Sequence, residues 1–217
     1  MHACAIPVAR VAAVVLAGGR GSRMGGVDKG LQNFQGQSLA LTALQRLRQQ
    51  SVGAPGLLAI NANRNQTQYA SFGVPVWSDT VPNYAGPLAG FLAALLQCQD
   101  HFDYLLCVPC DSPLFPLHLL QQLAQALVQE EADIAMPLAP EVQADGSVRL
   151  FAQPVFCLMR TSVRASLQEF VAGGGSKIGA WTATQRQTKV AFQGATEDPR
   201  AFANANTLDD LRHLETP

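Results

Sequence analysis

Residues 11–30 read VAAVVLAGGRGSRMGGVDKG, and this stretch decides the fold class. Its opening part, Val11–Ala17, is a β-branched apolar run with no polar alternation. Such a run suits a parallel strand buried on both faces. Behind it, Gly18–Gly30 holds Gly18, Gly19, Gly21, Gly25, Gly26 and Gly30, a density that only a loop tolerates. Arg10 ahead of the apolar run imitates a short signal peptide, but glycines directly after it favour the strand.

Further along, the pattern alternates. Ser38–Gln50 repeats apolar residues at helical spacing, Gly56–Asn61 and Val74–Ser78 read as strands, and Pro87–Gln97 as a helix with Pro87 in its first turn. Tyr104–Val108 is a strand ending in PCDSP, Pro116–Glu130 a helix and Ala132–Met136 a strand. Beyond that point the pattern changes. Val148–Met159 is long and extended, Ser162–Val171 helical, Thr188–Phe192 a strand, and Leu208–Leu214 a final helix with Thr207 as its cap. Alternating strands and helices predict an α/β fold: a Rossmann-like, mostly parallel sheet with helices on both faces. The expected division is a loose leader over 1–10, a nucleotide-binding part over 11–135, and an acceptor part over 136–217, all within a single domain whose C-terminal subregion is antiparallel and extended.

Composition narrows the function. The 217 residues are 48% hydrophobic and 14% charged, with a formal net charge of -1. That balance gives no large basic field for nucleic acid. No apolar run approaches the ~18 residues of a membrane helix. Five cysteines, Cys4, Cys98, Cys107, Cys110 and Cys157, are odd in number and irregularly spaced. They predict a reducing cytoplasm rather than a disulfide framework.

The glycine-rich loop fails two generic templates. A P-loop needs Gly-Lys before Ser or Thr, yet Lys29 precedes Gly30; a dinucleotide fingerprint from Gly19 meets Met24 where its third glycine belongs. The loop still suits phosphate. Glycines allow close backbone approach, successive N–H groups form an anion-binding nest, and Arg20, Arg23 and Lys29 add positive charge. A surface loop with solvated charges remains the alternative.

In open parallel sheets ligands bind beyond the carboxyl ends of strands. That rule directs attention to Leu16 and Ala17, Asn61, Asp79 and Asp111. The Asn61 amide carries donors and acceptors that can read a base edge, or satisfy a local turn. Asp111 offers a hard oxygen suited to Mg²⁺, although Asp111 or Ser112 before Pro113 would also cap a helix. Gly86 and Pro87 open a helix whose N-terminus favours an anion. Asn204 and Asn206 share one side of an extended segment at period two, or else shape the turn before the last helix. Cys107 and Cys110 have redox spacing, but Cys107 lies in an apolar strand instead of starting a helix.

LAGG, RMGG and VDKG, with NANRN, GPLAG, PCDSP and FANAN further along, resemble the molybdenum cofactor guanylyltransferase (MobA-like) family from about Val11 to Leu214. The resemblance implies that Leu16, Ala17, Gly18 and Gly19 contact GTP and that Lys29, with Arg23, neutralises its phosphates. It implies nucleotide contacts from Asn61, Asp79, Gly86 and Pro87, and Mg²⁺ on Asp111. Asn204 and Asn206 would reach the metal or the acceptor phosphate. The implied reaction joins the GMP part of GTP to the phosphate of molybdopterin. The expected protein is a cytoplasmic monomer that hands its product to molybdoenzyme chaperones or other cofactor-biosynthesis proteins. The nearest alternatives are a CTP-using molybdopterin cytidylyltransferase, in which LAAG is usual, and a sugar-1-phosphate nucleotidyltransferase; a nucleotide-binding regulatory module and a thiol redox protein are more distant. AGGGSKIGAW lacks a basic cluster for the pterin phosphate, holding only Lys177.

Overall fold

The computed structural model of the protein describes residues 4–17, 27–81, 86–98, 100–143, 145–194 and 197–215. The opening apolar run is strand β1 (Val11–Leu16). Its side chains alternate between two cores, as strand geometry requires. Val11, Ala13 and Val15 join one, while Ala12 and Val14 join the other. A tight hairpin follows, β2 (Asn33–Phe34) and β3 (Gln37–Ser38). Its central Gln35 and Gly36 both have positive φ, the requirement of a type I′ turn.

Helix α1 (Leu39–Arg48) begins where Ser38 accepts from Leu41 N–H, and it buries Leu39, Ala40, Ala43, Leu44 and Leu47. Strand β4 (Leu57–Asn61), the short helix α2 (Gln66–Ala70) and strand β5 (Val76–Trp77) complete one flank. Helix α3 (Pro87–Cys98) then carries the chain back to β6 (Tyr104–Pro109), on the other side of β1. Helix α4 (Leu119–Gln129) leads to the long strand β7 (Ile134–Val142). The remaining elements are β8 (Val148–Ala152), β9 (Cys157–Arg160), α5 (Arg164–Ala172), α6 (Ile178–Thr182), β10 (Gln187–Ala191) and α7 (Leu208–Glu215).

The main sheet runs β10-β7-β9-β6-β1-β4-β5, with β8 paired to β7. The β1, β4, β5 and β6 pairings are parallel, and so is β10 with β7. Strand β9 runs antiparallel to both of its neighbours. Helices α1 and α4 contribute to one core; α3, α5 and α6 contribute to the other. The expected α/β sheet with helices on both faces is therefore present, and so is its antiparallel C-terminal subregion.

Three expectations change. Residues 4–10 are not a loose leader: apolar Ile6 is buried, Gly56 N–H donates to Val8 O at 3.0 Å, and Arg10 pairs with Asp103 at 2.7 Å. The extended stretch over 148–159 is two strands, because Phe156 N–H closes a turn onto Gln153 O at 2.9 Å. The helix expected from Pro116 starts only at Leu119, after a turn that Leu119 N–H closes onto Pro116 O.

The order in which strands are added reverses at β1, with β4 and then β5 laid down on one side and β6 on the other. This is a switch point, where an open parallel sheet leaves a crevice at its carboxyl edge. Register sharpens the position. Leu16 is level with Asn61 on one side and Pro109 on the other, and Asn61 is level with Trp77. Four strands therefore end in one row.

Candidate active site

Asp111 follows the end of β6, and Lys29 lies in a 3-10 turn (Lys29–Leu31) at the close of the glycine-rich segment. Lys29 Nζ donates to Asp111 Oδ2 at 2.7 Å and to Asn206 Oδ1 at 2.8 Å. Both charged side chains are about one-fifth exposed, shielded enough to hold a fixed geometry yet reachable by a ligand. Asn204 lies alongside, its Oδ1 accepting from the buried Ser112 hydroxyl at 2.6 Å. The main chain ties these segments together, since Ala205 N–H donates to Asp111 O at 2.8 Å. Residues from the first, middle and last parts of the chain thus converge.

Of the two roles weighed for the Asn-x-Asn segment, the turn before the last helix is present. Asn206 N–H and Thr207 N–H both donate to Asp210 Oδ2, and Asp210 N–H donates to Thr207 Oγ1. This reciprocal arrangement is a capping box that starts α7. It leaves both asparagine side chains turned toward the β6 end.

A second cluster stands past β4 and β5. Asn61 Nδ2 donates to Trp77 O at 3.1 Å and Asp79 Oδ1 at 3.0 Å. Asn63 Nδ2 donates to Asp79 Oδ2 at 2.7 Å, and Asn63 Oδ1 accepts from Asp79 N–H at 2.8 Å. Asp79 is thereby oriented by two amides. Asn61 is only 3% exposed, so its reach is toward Asp79 more than toward solvent. Gly90 of α3 makes this packing possible. A Cβ there would stand 2.6 Å from Asn61 Oδ1 and 2.9 Å from Leu16 Cδ2. Gly90→Ala is expected to destabilise the fold by about 1–3 kcal/mol through overpacking, measured by denaturant unfolding.

Gly86 has φ 153 and directly precedes Pro87, the first residue of α3. Gly18, Gly19 and Arg23, expected to meet the nucleotide, lie outside the described residues. Lys177 precedes α6 and is exposed. The sequence reading did not single out Ser112 as an orienting group, nor Asn63 for the Asp79 pairing. It also omitted Asp28, which accepts from Gly30 N–H, Tyr69 Oη–H and Asn65 Nδ2–H. Asp28 sits next to Lys29 in VDKG, and no local sequence signal marks it as buried.

A cavity of about 510 Å³ is lined by Asn204 and Asn206 together with Phe192, Phe202, Gln153 and Glu141; Lys29 and Asp111 are not part of its wall, and Asn206 links it to Lys29. The cysteines are free, and burial pushes the Cys107 and Cys110 thiols well up. A redox thiol needs the opposite shift. Among the described residues no helix is long and apolar enough to cross a membrane.

The sequence from residue 13 to residue 190 matches the MobA-like NTP transferase domain. The chain belongs to that family. It is an enzyme of the nucleotidyltransferase class. A molybdenum cofactor guanylyltransferase of Acidovorax ebreus (strain TPSY) is 55% identical over 206 residues, covering 94% of this chain and 95% of the relative. One from Albidiferax ferrireducens is 54% identical over 210 residues, covering 97% and 98%. Among solved structures, molybdopterin-guanine dinucleotide biosynthesis protein A of Archaeoglobus fulgidus superposes with a TM-score of 0.70 at 21% identity, over 94% of this chain and 96% of that one. The 4-diphosphocytidyl-2C-methyl-D-erythritol synthase of Anaerococcus prevotii gives 0.70 at 10% identity, over 96% and 98%. At those identities the structural likeness concerns the fold of the transferase.

Proposed function

We propose that this MobA-like transferase moves GMP from GTP to the phosphate of molybdopterin, yielding the guanine dinucleotide and pyrophosphate. The observation that carries the reading is the meeting of Lys29, Asp111 and Asn206 at the sheet's switch point. The names of the relatives at 54–55% identity support the same substrates.

The acceptor phosphate is ionised near neutral pH and needs little general-base help. Its oxygen forms a bond to the α-phosphorus as the bond to the β-phosphate oxygen breaks, and pyrophosphate leaves with the electron pair. Positioning and electrostatics dominate such transfers. Lys29 neutralises charge on the leaving phosphates, with Arg23 as its proposed companion. Asn204 and Asn206 orient the incoming phosphate from the cavity side, placing the acceptor in the 136–217 part. Leu16, Ala17, Gly18, Gly19, Gly86 and Pro87 flank the nucleotide in the 11–135 part.

Asp111 is the proposed Mg²⁺ ligand. One accessible carboxylate beside amide oxygens fits an ion that takes one or two carboxylates and completes its shell with phosphate oxygens and water. When bound, Mg²⁺ neutralises phosphate oxygens and stabilises the departing charge. The protein is proposed to work in the cytoplasm as a monomer and to pass its product to molybdoenzyme chaperones.

Asp79, held by two amides, has lone pairs left to accept from the two N–H donors of guanine or from ribose hydroxyls. Asp79→Asn is expected to raise the KM for GTP about 10–100-fold, the effect of losing a hydrogen bond to a charged group, in steady-state kinetics. The whole reading is tested by incubating the protein with molybdopterin and Mg²⁺ plus GTP or CTP. Pyrophosphate release with GTP, and a pterin heavier by GMP in mass analysis, are the expected outcome. Release with CTP alone, or only with a sugar 1-phosphate as acceptor, would overturn it.

A further inference from the structure

We infer that Tyr69 and Asn65, acting through Asp28, are positioning residues that aim Lys29 at the phosphate site. The inference rests on the proposed function for its kinetic consequence. Its geometric basis stands apart from it.

Asp28 is 8% exposed, yet it lies one residue from the ion-paired Lys29. A buried carboxylate is costly unless its oxygens are satisfied. Here they are: Oδ1 accepts from Tyr69 Oη–H at 2.5 Å and Gly30 N–H at 3.2 Å, and Oδ2 accepts from Asn65 Nδ2–H at 2.9 Å. Two of its three donors, Asn65 and Tyr69, come from the start and the body of α2, which no contact with Lys29 would require.

The same tyrosine fixes the residue on the other side of Lys29. A Cβ on Gly30 would fall 2.5 Å from Tyr69 Oη and 3.1 Å from Ala17 Cβ. Lys29 is thus held between two residues, one bonded to the Tyr69 hydroxyl and the other packed against it. Tyr69 is itself fully buried, its ring edge-on to Phe72 at 6.0 Å and 88°. Asn65 takes a left-handed conformation, φ 51, at the start of α2. A short helix between β4 and β5 thereby sets the direction of a lysine that meets Asp111 at the end of β6.

A structural role alone would lower stability and leave turnover per folded molecule unchanged. An aiming role predicts a fall in kcat, because a misplaced charge loses contact with the phosphates; displacement by about 1 Å costs up to about 100-fold. Tyr69→Phe removes only the hydroxyl and keeps the ring. Expected for it are a kcat about 10–100-fold lower with molybdopterin, GTP and Mg²⁺, not restored by lowering the temperature, and a KM for GTP within about twofold because the Asp79 cluster is untouched. Phe72→Leu perturbs the same ring packing without touching the hydroxyl, and kcat should stay at the wild-type value.

The crystal structure of Tyr69→Phe supplies a readout free of activity. Lys29 Nζ is expected to leave its position 2.7 Å from Asp111 Oδ2. A structure with that contact intact, an unchanged kcat in Tyr69→Phe, or an equal loss in Phe72→Leu would each overturn the inference. Absence of wild-type turnover would instead overturn the proposed reaction, and the crystal structure would still decide the positioning of Lys29.

Discussion

Asp111→Ala is expected to lower the rate of pyrophosphate release about 1,000-fold, which corresponds to about 4 kcal/mol of transition-state stabilisation. The carboxylate is the hard oxygen proposed for Mg²⁺, and it also holds Lys29. Its loss would leave the phosphates without their proposed metal anchor. The fold should survive. The pair is partly exposed, Lys29 keeps its bond to Asn206, and the backbone carbonyl of Asp111 still receives Ala205 N–H. Such a pair contributes roughly 1 kcal/mol, equivalent to a Tm shift of about 2–4 °C for a chain of this length. Kinetics together with a thermal melt check both halves of the expectation. A variant that melts normally and turns over normally removes Asp111 from the chemistry.

Lys29→Ala is expected to cost about 100–1,000-fold in kcat/KM for GTP, in the range found for removal of one preorganised charge. Lys29→Arg should rescue little. A guanidinium is a planar fork on a different stem, and it cannot reproduce a point charge shared between one carboxylate and one amide oxygen. Stopped assays over a range of GTP concentrations separate the two parameters. If Lys29→Arg matches the wild type, the requirement is for charge alone and the geometric account of Lys29 is wrong.

Much of the fold was legible because β1 and its neighbours are buried on both faces. Continuous apolar runs marked each of them, and the rule that sites sit beyond strand ends singled out Asn61, Asp79 and Asp111, which stand at or just past the ends of β4, β5 and β6. Helix α2 was not legible. Gln66–Ala70 has no apolar period, and its one buried side chain, Tyr69, reads as an ordinary core aromatic. The convergence of Lys29 with Asn206 spans most of the sequence, and local pattern carries no information about such a pairing. Asp28 was hidden for a different reason. An acidic residue before a lysine resembles a solvated surface pair, and only the positions of Tyr69 and Asn65 reveal that it is buried and bonded.

The bond between Lys29 and Asn206 has a consequence for synthesis. A ribosome that has extruded the chain only as far as β10 has delivered every strand of the sheet, yet the lysine still lacks one of its two partners. The capping box that turns Asn206 inward needs Asp210, a few residues later still. Nascent chains can therefore assemble their framework early while the charged centre waits for residues 206 to 210. An unfinished polypeptide would then hold an incomplete centre.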